Sequence, residues 1–304
     1  MRALLDLPPG LLEFQLTLRP PAGTTAVELL AAADAYANQD PPPVGAVHRA
    51  VPLRESAGWR LTADLYVPAG PPPFPTLLYL HGGAWVTGSP WTHRRLAAEL
   101  AALGLLTVSL DYRRAPKHRF PAAVADCSFA LDWAAERAGS YGGDPSRLLV
   151  GGDSAGGNLA AAVLATGAAA SAATVRAALL LYGIFDYHRA LPTLSALVGG
   201  PDAGSQAYLV PADADALRGD PAVSPEARCG HFPPTLLLTG GRDPLLPESV
   251  AMAGRLAGHH LAHQLVVLPD APHGFLQLPT HPSYARGLRE IGGFLHARDL
   301  LPAP

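Results

Sequence analysis

The sequence predicts an α/β protein whose mostly parallel sheet of eight strands is covered by helices on both faces. Three observations predict it. Short, nearly continuous apolar runs recur along the chain, amphipathic segments separate them, and only the first two strand-like runs show polar/apolar alternation. A run that is apolar at every position has both faces buried, and the β-α-β rhythm gives parallel neighbours joined by crossover helices. With 304 residues, 49% apolar and 15% charged, the chain can bury one large core, and Ala, Gly, Pro, Ser and Thr must supply much of its surface.

The elements follow in order. "GAVHRAVPL" and "WRLTADLYV" flank a turn at residues 56–58 and read as an antiparallel opening pair. "PTLLYLH", "LLTVSLDY", "RLLVGGD", "AALLLYG", "PTLLLTG" and "HQLVVLP" are the buried strands. In "WTHRRLAAELAALG", Leu96, Leu100 and Leu103 share one helical face, and Gly104 can end the helix. "FPAAVADCSFALDWAAERAGS" has Pro121 near a helix start and is expected to carry Val124, Phe129, Leu131 and Trp133 inward, while "ESVAMAGRLAGH" and "PSYARGLREIGGFLHA" complete the helices. Two regions break the rhythm. Residues 1–42 contain a helical stretch, "AVELLAAADAYANQ", and a "DPPP" linker; residues 185–222 are rich in Pro, Gly, Ala and Asp, interrupted at "VGGPDAGS". A weakly patterned insertion of that length inside a compact domain is either a functional lid or a disordered segment.

Composition excludes several classes. A net charge of -3, with no basic run beyond "YRRAPKHR", offers no footprint for nucleic acid. Cys127 and Cys229 stand far apart without zinc-ligand spacing and read as buried thiols, so neither a metal nor an organic cofactor is expected. The first residues carry Asp6, Pro8, Pro9 and Glu13 where a signal peptide needs an unbroken apolar core, which makes the cytoplasm the expected location. The uncharged stretch Leu159–Val175 is built of Ala, Gly, Ser and Thr and reads as a buried helix and its continuation, with no stable membrane insertion.

The chemistry concentrates at "LLVGGDSAGGNLAAAVLA". Here a strand gives way to a helix through G-x-S-x-G, with Ser154 between Gly152 and Gly156; this is the setting of a nucleophile elbow, in which a sharp turn lifts the serine hydroxyl above the sheet. A phosphate cradle is the competing reading, but no lysine follows as a P-loop requires. Serine needs a base, and the base needs a carboxylate to fix its tautomer. Asp243 follows the strand "PTLLLTG" and His273 follows "HQLVVLP", in the order serine, acid, histidine and at the same end of the sheet. Among the 12 histidines, His259, His260, His263, His281 and His296 fall on helix ends or the last helix; Asp270 lies too close to His273 on the same loop to support it from behind. Oxyanion donors are expected from the N–H groups of Gly82, Gly83 and Ala155, with Ala84 as a further donor in "HGGAW" and His81 bracing that loop. Asp153 is expected to anchor the turn by hydrogen bonds. Trp85, Tyr182, Phe185, Leu245 and Phe275 are the candidate pocket residues.

"HGGAW", "LDYRRAPKHRFPAAVADC", "GGDPSRLLVGGDSAGGNLAA", "GDPAVSP", "PPTLLLTGGRDPL" and "PHGF" together resemble the hormone-sensitive-lipase family of α/β-hydrolases, the bacterial carboxylesterases with a GDSAGG elbow. The resemblance implies triad roles for Ser154, Asp243 and His273. It also implies a helical cap made of residues 1–42 and 185–222 over a catalytic core of 43–184 and 223–304, and it makes a homodimer an expectation. Ala84 replaces the usual third glycine, Lys117 stands where an acid is common, and the cap insertion is short. The expected reaction is hydrolysis of small-molecule esters of short to medium acyl chain through an acyl-enzyme. Amide or carbamate hydrolysis on the same triad is the alternative, and a receptor that only holds a small molecule is a third reading.

Overall fold

A computed structural model describes residues 26–56, 58–197 and 205–301. All eight expected strands form, in one sheet: β1 (Ala46–Ser56), β2 (Trp59–Val67), β3 (Phe74–Leu80), β4 (Leu106–Asp111), β5 (Gly143–Asp153), β6 (Ala177–Leu181), β7 (Thr235–Gly240) and β8 (His263–Leu268). Their order is β1-β2-β4-β3-β5-β6-β7-β8. The first two pairings, β1 with β2 and β2 with β4, are antiparallel, and every later pairing is parallel. The alternation of the opening pair against the apolar runs that follow is thus a difference in burial: β1 is largely exposed, whereas β3 is buried at every position.

Helices α1 (Ala26–Ala37), α2 (Arg94–Ala102), α3 (Ala122–Arg137), α4 (Ala155–Thr166), α5 (Tyr187–Leu197), α6 (Ser205–Tyr208), α7 (Pro211–Ala216), α8 (Leu246–Gly258) and α9 (Pro282–His296) surround the sheet. Successive residues of each central strand enter opposite cores. Leu78, Leu80, Val150, Leu180 and Leu237 join α3, α4 and α8 in one cluster. Leu77, Tyr79, Leu149, Leu179, Leu236 and Leu238 join Leu96 and Leu100 of α2 and Ile291, Phe294 and Leu295 of α9 in the other. Gly104 does follow α2, at φ +106°. In α3, Val124 and Leu131 are buried as expected, but Phe129 and Trp133 are only half-buried; Cys127, Ala130 and Ala134 take the inner positions because small side chains let the helix lie close to α4 and the sheet. Both cysteines are free and buried. Among the described residues no helix is long and apolar enough to cross a membrane.

Residues 1–25 of the expected amino-terminal segment, and 198–204 of the insertion with most of "VGGPDAGS", lie outside the described residues. The described part of the first segment docks beside α2: Arg94 pairs with Asp34 at 3.1 Å, and buried Asn38 donates to Thr92 O and accepts from the Arg95 N–H. The insertion supplies the three short helices α5, α6 and α7.

Candidate active site

Three parallel strands end at one edge of the sheet, and beyond each stands one of the three candidate triad residues. Ser154 follows β5 directly, Asp243 follows β7 and His273 follows β8. Ser154 sits at φ +53°, ψ −118°, a conformation that a non-glycine residue adopts only under strain. The turn is held by the Ser154 N–H donating to Leu181 O and by Asn158 N–H donating to Ser154 O as α4 begins. The flanking glycines are steric necessities. A Cβ on Gly156 would stand 2.6 Å from the Leu80 carbonyl carbon and 2.7 Å from His81 O, and one on Gly152 would reach Gly156 and the Leu80 carbonyl. The end of β3 therefore passes against the elbow only because both positions lack side chains.

The three side chains meet. His273 Nε2 lies 3.0 Å from Ser154 Oγ, and Nδ1 lies 2.9 Å from Asp243 Oδ2. A carboxylate can only accept, so Nδ1 carries the ring proton and Nε2 presents its lone pair to the serine hydroxyl. The Asp243 side chain is fully buried, the His273 ring 18% exposed. Asp243 Oδ1 accepts the Leu245 N–H at 2.8 Å, which orients the carboxylate. Burial draws the His273 pKa down, but the charge and hydrogen bond of Asp243 outweigh it, and the net shift is upward from 6.5. The Tyr182 ring packs edge-on against the imidazole with centroids 5.2 Å apart. The arrangement can deprotonate the serine as it attacks an electrophilic carbon and return the proton to a leaving group.

The loop after β3 is wound tightly. Gly83, Ala84 and Trp85 have φ of +123°, +52° and +60°. Among the described residues, the N–H groups of Gly83, Ala84 and Ala155 have no acceptor. Gly82 differs from expectation: its N–H donates to Asp153 Oδ1 at 2.9 Å, so it is already engaged and is not a free oxyanion donor. His81 is fully buried; its Nδ1–H donates to Gly82 O at 2.8 Å, and its ring stacks on Tyr112 with centroids 4.2 Å apart. Burial and the neighbouring His93 push its pKa down to about 3, so it braces the loop as a neutral ring. Asp153 does anchor the turn, through Gly82 and the Tyr79 hydroxyl at 2.5 Å.

The expected pocket residues are packed shut. Trp85, Tyr182, Phe185 and Phe275 expose nothing to water and Leu245 only 1%. Trp85 stacks on Tyr208 of α6 at 4.6 Å, and Phe275 belongs to the core under α9, against Gly287. The Phe185 ring covers Gly183. All five are packed into the protein interior, with Tyr182 against the His273 ring. Two hollows of about 400 and 630 Å³ lie elsewhere and include none of Ser154, Asp243 and His273. Among the described residues no cluster of His, Cys, Asp or Glu could hold a metal.

Sequence reasoning missed three groups. Asn158 donates to Ile184 O at 3.0 Å and Val223 O at 3.1 Å, tying together the two ends of the insertion. Arg189 of α5 pairs with Glu226 at 2.7 Å and Glu248 at 2.6 Å, and Glu248 also accepts the N–H groups of Phe185 and Asp186. His93 reaches Asp153. None has a local signature, although the asparagine in "GGN" one turn after the serine was the nearest to one.

Residues 77–277 match the family described by its alpha/beta hydrolase fold. Carboxylesterase NlhH of Mycobacterium tuberculosis is 30% identical over 238 residues, 73% of this chain and 75% of that protein. The ethyl acetate hydrolase of Pseudomonas putida is 35% identical over 210 residues, 66% of each chain. The solved structure of a hyperthermophilic esterase from the archaeon Pyrobaculum calidifontis superposes with a TM-score of 0.78 at 28% identity, covering 97% of this chain and 99% of that one. The chain belongs to the α/β-hydrolases, in their hormone-sensitive-lipase-like branch, and is a carboxylic ester hydrolase.

Proposed function

We propose that the protein hydrolyses small carboxylic esters of short to medium acyl chain through an acyl-serine intermediate. The observation that carries this reading is the relay of 3.0 and 2.9 Å from Ser154 through His273 to Asp243. Ser154 Oγ attacks the ester carbonyl carbon while His273 Nε2 takes its proton, and Asp243 stabilises the imidazolium. The oxyanion forms facing the N–H groups of Gly83, Ala84 and Ala155, each such donor contributing about 2.7–4 kcal/mol. His273 then protonates the departing alcohol; in the second half it deprotonates a water that attacks the acyl carbon, and Ser154 leaves with its proton restored. Apart from the hydrolytic water, the steps are carried by Ser154, His273, Asp243 and the backbone donors. Short acyl chains are favoured by the closed packing of Trp85, Phe185 and Leu245 and by the likeness to a hydrolase named for ethyl acetate.

Residues 185–222, with the amino-terminal segment, form the cap in this reading. A homodimer would pair through an edge strand or the last helix; β8 is one of the two outer strands of the sheet, and its Val267 is 38% exposed. Two unpaired thiols suit a reducing cytoplasm.

The test is turnover of p-nitrophenyl acetate, butyrate and longer homologues by the wild type and by Ser154→Ala, with fluorophosphonate labelling mapped to its peptide. Serine-dependent turnover that declines with chain length, and label on Ser154, are the expected results. Label on another residue, or turnover that survives the substitution, overturns the proposal.

A further inference from the structure

Asp153 is next to the nucleophile in the chain, yet its carboxylate serves another part of the site. Oδ1 accepts the Gly82 N–H at 2.9 Å and the Tyr79 hydroxyl at 2.5 Å, and Oδ2 faces His93 Nε2 at 3.5 Å. His93 stands immediately before α2 and makes no cap to that helix. Its Nδ1 lies 2.9 Å from Thr92 Oγ1, whose own proton goes to Ser89 O. Both ring nitrogens thus face oxygens able to accept. Tyr79, His81, His93 and Asp153 are all buried, and the His81 and His93 rings lie 5.6 Å apart.

We propose that His93 is a positioning residue for the oxyanion loop: it holds Asp153, Asp153 holds Gly82, and Gly82 sets the direction of the Gly83 and Ala84 N–H groups that follow it. The inference rests on the reading of Ser154 as nucleophile and of these N–H groups as donors. Two physical facts support the chain of contacts. A buried carboxylate with a missing partner turns or takes up a proton, and either change releases the Gly82 N–H. Burial pushes the Asp153 carboxyl up, yet it is held below the usual value by His93 first and by the hydrogen bond from Tyr79. The loop itself cannot hold its course unaided, since Ala84 and Trp85 adopt positive φ against their intrinsic preference.

A residue that only stabilised the fold would slow every substrate alike. Loss of oxyanion donors instead penalises an ester whose carbonyl oxygen must be stabilised, and spares a thiono ester whose larger, weakly accepting sulfur profits little from the same N–H groups. The experiment compares p-nitrophenyl butyrate with its thiono analogue in the full chain, for wild type, His93→Asn, which is too short to reach Asp153, and His93→Gln, which can reach it. His93→Asn is expected to lower kcat on the oxygen ester about 10²-fold with KM little changed, as for a displacement of about 1 Å at the donors. The thiono rate should fall much less, so the oxygen-to-sulfur ratio collapses, and His93→Gln should restore most of it. Thr92→Val, which removes the hydroxyl beside Nδ1, gives a milder drop in the same ratio and decides the matter if His93→Asn does not fold. An unchanged ratio in the folded His93→Asn chain, or in Thr92→Val where that chain is lost, overturns the inference. A wild type that turns over neither ester overturns the underlying function instead.

Discussion

Replacing Asp243 by asparagine removes one negative charge from a fully buried position 2.9 Å from His273 Nδ1 while keeping the size of the side chain. With charge centres about 4–5 Å apart and an effective dielectric constant of about 20, the lost attraction for the imidazolium formed in the transition state is about 3–4 kcal/mol. That corresponds to roughly 10²- to 10³-fold in kcat. An amide can also turn its NH2 toward Nδ1, placing the ring proton on Nε2 and blocking proton abstraction; this raises the total toward about 10⁴-fold. The pH dependence moves with it. Activity requires neutral His273, so the acid limb of the rate profile follows the His273 pKa, which Asp243 raises against the downward pull of burial. Without that charge only the weaker pull of Asp153 opposes burial, and the limb shifts to lower pH. The assay is kcat/KM on p-nitrophenyl butyrate from pH 4 to 9, with active-site titration to count competent molecules. A loss below tenfold, or an acid limb that stays in place or rises, refutes the role assigned to Asp243.

Gly156→Ala puts a methyl 2.6 Å from the Leu80 carbonyl carbon, where ordinary contact begins near 3.4 Å, so β3 and the elbow must part by about 1 Å. Activity should fall about 10²-fold or more with a lowered melting temperature, and a variant with wild-type kcat would show that the close approach is dispensable. Asn158→Leu leaves the carbonyls of Ile184 and Val223 without their donor, at about 1–3 kcal/mol each. Calorimetry should show a melting temperature lower by several degrees, and limited proteolysis faster cleavage within residues 185–222; unchanged values would remove its role as the tie. His81 has a folded pKa of about 3 against 6.5 unfolded, so the unfolded chain binds more protons between those values and stability drops as pH falls through that window. His81→Phe should flatten the urea-unfolding free energy between about pH 6 and 4, and an unaltered slope would place the acid sensitivity elsewhere.

Local pattern reaches far in this chain because several of its demands are local. A strand buried on both faces must be apolar throughout, so eight strands could be read off eight runs, down to the antiparallel pair distinguished by alternation. An elbow needs glycines two residues either side of its serine, which made Ser154 visible; parallel strands deliver their following loops to one edge, which made Asp243 and His273 visible by position alone. The pocket residues are the converse case. Trp85, Phe185 and Phe275 look the same in sequence whether they face a ligand or a neighbouring helix, and only packing against Tyr208, Gly183 and Gly287 tells which.

What remained for the tertiary structure to decide is where each hydrogen-bond donor spends itself. Gly82 and Gly83 are the donors the sequence favours, with Ala84 behind them, but a carboxylate from the end of β5 captures the first. His93 joins that carboxylate, and Asn158 closes the insertion, across stretches of chain whose intervening residues carry no trace of the contact. Periodicity and turn chemistry record forces between near neighbours in sequence; a hydrogen bond between distant segments depends on their final separation and direction, which only the folded sheet sets.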